Sequence, residues 1–146
     1  MSLKDWSDNG WLKPHQTDKS EISNLLAIVE RDLLDASLHD LSADWQFGIA
    51  YNAALKLCNI VLYTQGYRPE NALAHYRAIM ALKEIDGEDW ASHSGYLNAC
   101  RMQRNTLEYD CVNSISQEDA DKLIAFTKTF YEEVKNYLAA HFPSLL

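Results

Sequence analysis

The chain has 146 residues, 47% of them hydrophobic and 23% charged, with a formal net charge of −8 from 21 acidic and 13 basic side chains. That length is enough for a single domain with a real core. The charge excludes nucleic-acid binding through a broadly basic surface but leaves room for a local basic pocket.

Residues 1–16 read as a short lead-in that Trp6, Trp11 and Leu12 pack onto the body and Pro14 ends. Residues 18–142 read as a helical bundle, and residues 1–146 as one domain. Thr17 or Asp18 can cap the first long helix, with Asp18 and Glu21 at capping-box spacing. Ile22, Leu25, Leu26, Val29, Leu33 and Leu34 then repeat with the helical period, to an end between Ser37 and Leu41. Ser42 caps the next helix. From Trp45 to Tyr63 it is apolar around most of its circumference, as a helix in the middle of a bundle is. Gly66 suits its C-terminus and Pro69 prevents continuation.

Asn71 is the predicted cap of a third helix, with Leu73, Ile79, Met80 and Leu82 on its apolar side and His75 near its start. Ser92 or Ser94 opens a fourth, running to about Asp110. Ser116 or Gln117 opens the last, with Ala120, Leu123, Ile124, Thr127, Tyr131, Val134 and Leu138 inward and Pro143 closing it. No strand is bounded by turn signals. The expectation is an all-α, up-and-down bundle of about five helices.

Cys58, Cys100 and Cys111 fall on or near apolar stripes with no C-x-x-C, so buried free thiols are expected rather than disulfides. With no signal-peptide pattern at the N-terminus and no membrane-length apolar run, the expected location is the cytoplasm. No histidine has a second histidine or a cysteine at metal-ligand spacing. The five glycines form no phosphate-cradling loop, and G-x-S-x-G is absent. No metal and no cofactor is expected.

What stands out is Tyr96–Cys111, Y-L-N-A-C-R-M-Q-R-N-T-L-E-Y-D-C. At about 100° per residue, Tyr96, Cys100, Leu107 and Cys111 share a core-facing sector. Arg101, Asn105 and Tyr109 share a second face, with Arg104 between the two and close enough to the stripe to be partly buried. Two guanidiniums, an amide and a phenol on one ridge can hold a phosphate. The plainer alternative is that Arg104 pairs with Glu108 at i, i+4, an interaction worth about 0.3–0.5 kcal/mol.

The ridge R-x-x-R-N-x-x-x-Y on the penultimate helix resembles the HEPN family. The segment Y-N-A-A-L-K-L-C-N-I-V-L-Y-T-Q-G-Y-R (Tyr51–Arg68) is similar to that family's Asn/Ala-rich helix ending in a glycine turn. The resemblance covers residues 20–140. It implies a helical bundle, commonly a homodimer that brings two motif copies into one cleft. Many members are metal-independent ribonucleases. Several are toxins paired with a nucleotidyltransferase antitoxin, and others bind without catalysis.

Arg104 matches the family's arginine, Asn105 its polar residue, and Tyr109 stands where the family has histidine; Arg101 has no fixed counterpart. A tyrosine, with an ordinary pKa of about 10, is a poor general base at neutral pH. The resemblance therefore favours a module binding a nucleotide or RNA phosphate, or docking on a partner enzyme of the nucleotidyltransferase type. The alternatives are a metal-independent ribonuclease, with Arg104, Asn105 and Tyr109 catalytic and His75 as helper, and a structural dimerisation bundle. A homodimer is expected in all three, because the ridge helix gains by burial against its twin. A monomer by light scattering would contradict it.

Overall fold

The computed structural model describes residues 2–109 and 114–146, with side chains up to Asn105 and again from Ser114. The described part is mostly helical, with six α-helices and a two-stranded hairpin. In order these are α1 (Leu3–Asp8), β1 (Leu12–Pro14), α2 (Lys19–Ala36), α3 (Ala43–Thr64), β2 (Tyr67–Pro69), α4 (Ala74–Ala81), α5 (Ala91–Tyr109) and α6 (Gln117–His141).

The hairpin corrects the sequence reading, which expected no strands, and the helices number six rather than about five, α1 being the helical form of the lead-in. Ser2 closes a capping box with Asp5, which lets a helix of only six residues form. Gly10, at φ +78°, turns the chain, and Leu12, Lys13 and Pro14 pair antiparallel with Pro69, Arg68 and Tyr67. Pro14 thus ends the lead-in as the last residue of a strand. Gly66, at φ +88°, supplies the left-handed residue beyond α3 that redirects the chain into β2. Two strands of three residues carry too little alternation to register as a pattern.

The long helices follow their caps. Asp18 accepts from the Glu21 amide, Ser42 from the Trp45 amide, and Ser116 from the Asp119 amide. Central α3 buries Phe47, Ala50, Tyr51, Ala53, Ala54, Leu57, Ile60 and Val61, and α2 and α6 pack along it. The small residues on its surface permit that close approach. All seven inward positions expected on α6 are buried. On α2, Ile22, Val29 and Leu33 are buried, but Leu34 is 74% exposed and Asp32 is buried against Arg31 and Lys56.

Glu21 does not close the expected capping box. Its carboxylate accepts instead from Thr17 Oγ1 at 2.7 Å and from His15 Nε2 at 2.8 Å. Burial pushes this carboxyl up, but the Thr17 and His15 hydrogen bonds pull it down further, so it lies below its ordinary 4.5. A carboxyl lowered on folding contributes stability that is present above its unfolded pKa and lost as pH falls through the folded value. Glu21→Gln is expected to lower stability at pH 7 and to narrow the difference from wild type below pH 4.5. Urea midpoints measured across that range check it; a difference independent of pH would count against the assignment.

Cys58 and Cys100 are buried and unbridged. Burial pushes both thiols up, Cys100 to about 11, so neither is a thiolate near neutral pH. Cys111 lies outside the described residues. Among the described residues, no helix is long and apolar enough to cross a membrane.

Candidate functional site

Helix α4 opens differently from expectation. Its N-cap is Leu73, in the left-handed region at φ 55°, with no side-chain cap, and Leu73 is exposed rather than on the apolar side. Asn71 is released from capping and lines a cavity. Helix α5 begins at Ala91 rather than at a serine cap; Ser94 is buried inside it and donates to the Ile79 carbonyl at 2.9 Å, fastening α5 to α4. Trp90, one residue before α5, stacks edge-on against Phe130 and Tyr137 of α6. His93 bonds Glu133 at 3.1 Å and packs on Phe126 and Phe130. These contacts set the position of the ridge.

The cavity between the start of α4 and the later turns of α5 has a volume of about 290 Å³ and is lined by Asn71, Leu73, Ala74, His75, Tyr76, Arg101 and Asn105. That is close to the lower end of ligand pockets, about 300 Å³. The fold therefore brings together three of the residues expected at the site: His75, Arg101 and Asn105. Arg101 Nε donates to Asn98 Oδ1 at 3.0 Å, and its Cζ lies 5.4 Å from the Tyr76 ring centroid. Both contacts hold the guanidinium in place while its terminal nitrogens enter no ion pair among the described residues.

Arg104 is half-buried, its Cζ 5.3 Å from the ring centroid of Tyr51. The side chains of Leu107, Glu108 and Tyr109 lie outside those described, and with them the expected Arg104–Glu108 pair and the Tyr109 part of the ridge. Along the described part of α5, Cys100 is buried and Tyr96 packs on Phe126, as the stripe requires, while Leu97 adds a buried position that the stripe left out.

Tyr51 is the residue that sequence reasoning missed. It read as part of the apolar surface of α3, and its side chain is 1% exposed. Its hydroxyl lies 3.4 Å from His75 Nδ1, beside the ridge. Burial pushes the phenol well above its ordinary range, against the opposing pull of Arg104 and Arg101. Tyr51 therefore keeps its proton and can donate to Nδ1. With Nδ1 accepting, a neutral His75 carries its ring proton on Nε2. No sequence signal short of knowing that α3 underlies α4 and α5 would have selected it.

Among the described residues, no cluster of three or more His, Cys, Asp or Glu could hold a metal ion. The molecule is thus a mostly helical protein with an arginine-, histidine- and amide-lined cavity beside one helix. No protein family, curated protein or solved structure matches the chain.

Proposed function

We propose that the chain is a HEPN-like module that binds the phosphate of a nucleotide or RNA. The observation that carries this reading is the convergence of His75, Arg101 and Asn105 on one small cavity, with the Arg104 guanidinium nearby over Tyr51. Guanidinium, imidazole and amide groups offer donors to phosphate oxygens, and a guanidinium already held by a ring and an amide loses less freedom on binding. Of the residues matched to the HEPN motif, Asn105 lines the cavity and Arg104 lies one turn along α5 from Arg101.

Calorimetric titration of 5′-AMP and of a short RNA tests the reading. Wild-type protein is expected to bind both. Arg101→Ala is expected to lose about tenfold or more in affinity with its thermal midpoint unchanged, as removal of one charge-assisted hydrogen-bonding group does. Absence of binding by the wild type overturns the reading, and so does an Arg101→Ala affinity equal to wild type.

One observation favours a second reading, metal-independent RNA cleavage. The proton-transfer group that the ridge lacks in sequence, a histidine, stands across the cavity on α4 as His75. Cleavage of RNA in excess chelator would establish it.

A further inference from the structure

Trp11, immediately before β1, lies under the guanidinium of Arg77, with Cζ 3.9 Å from the ring centroid. The same Cζ is 5.8 Å from the Tyr76 ring, and the other neighbour of that ring is Arg101, which lines the cavity. Trp11, Arg77, Tyr76 and Arg101 thus form an unbroken alternation of rings and guanidiniums from the hairpin to the cavity. The hairpin contributes two further cations. Lys13 and Arg68 are opposite each other in the register, so both side chains leave the same face.

The chain has five arginines: Arg68 on the hairpin, Arg77 and Arg101 in the alternation, Arg104 beside it, and Arg31 on α2, where it pairs with Asp32. Among the described residues no ion pair involves Lys13, Arg68, Arg77 or Arg101. An acidic protein that lays Arg77 and Arg101 against aromatic rings, with neither in an ion pair among the described residues, has a surface for a polyanion with flat groups.

We propose that this alternation is a track for single-stranded RNA, binding the nucleotides that flank the phosphate held in the cavity. The inference rests on the phosphate reading above and extends it: the ligand is an oligonucleotide rather than a mononucleotide. Cations follow the backbone while rings and guanidinium planes take the bases. Unpaired bases are required, since a duplex hides its base faces.

The test compares 5′-AMP, a six-residue adenosine RNA and an RNA duplex, titrated into wild type, Arg77→Gln and the double variant Lys13→Gln/Arg68→Gln. The hexamer is expected to bind wild type about tenfold or more tighter than AMP, since stacking contributes at each base. Each variant is expected to lose most of that advantage with AMP affinity unchanged. The slope of log affinity against log salt should fall by about 0.7 for each phosphate contact removed. The double variant lies away from the Trp11 ring and guards against a packing defect in Arg77→Gln. A hexamer that binds no tighter than AMP, or that binds both variants as it binds wild type, overturns the track and leaves the phosphate reading standing. Duplex binding as tight as the hexamer overturns the single-strand assignment. Failure of wild type to bind any of the three overturns both.

Discussion

Trp90→Ala is expected to lower folding stability by about 3–5 kcal/mol, the usual cost of truncating a fully packed indole. For a domain of this size the thermal midpoint should fall by roughly 10 °C or more. Trp90 is 2% exposed and meets Phe130 and Tyr137 edge-on at centroid distances of 5.7 and 5.5 Å. Its carbonyl also accepts from the Ser94 amide, in the first turn of α5. Removing the indole opens a cavity under that turn and frees the helix that carries Arg101 and Arg104. Trp45→Ala is the internal comparison: 67% of that residue is exposed, so its loss should stay within about 0.5 kcal/mol. Thermal and urea unfolding of the two variants measure both. Equal losses would show that the aromatic junction of α5 and α6 does not secure the helix.

The cleavage reading makes a prediction of similar size. If wild-type protein cleaves RNA in excess chelator, His75→Ala is expected to lower the rate by about 10²–10⁴, the usual contribution of a positioned acid–base group. Tyr51→Phe removes only the hydroxyl 3.4 Å from Nδ1 and should lower the rate less, since it disturbs the orientation of the imidazole and not its presence. Tyr109→Phe is the discriminating variant. Should it abolish cleavage while His75→Ala leaves it intact, Tyr109 is the proton-transfer group and His75 a binding residue. No cleavage by the wild type removes this reading, and phosphate binding is then tested on its own.

The binding and cleavage readings divide over which histidine or tyrosine reaches the ridge. Sequence spacing could put Arg101 and Asn105 on one face of one helix, because residues four apart on a helix are neighbours. It could not bring His75 to them, since that depends on how α4 lies against α5. Nor could it identify Tyr51, which has the same helical period as the alanines around it and differs only in what packs above it.

What the sequence by itself determined was local. Asp18, Ser42 and Ser116 start α2, α3 and α6 because their side chains satisfy amides three residues on. The apolar periods of α3 and α6 decide which faces are buried. Tertiary structure decided the rest. The β1–β2 pairing joins residues more than fifty positions apart, Asn71 lines a cavity instead of capping α4, and the rings of Trp11 and Tyr76 meet guanidiniums from other elements or other turns. A side chain's capping or periodicity is set by neighbours within about four residues, whereas a site is made by groups that only packing brings within reach.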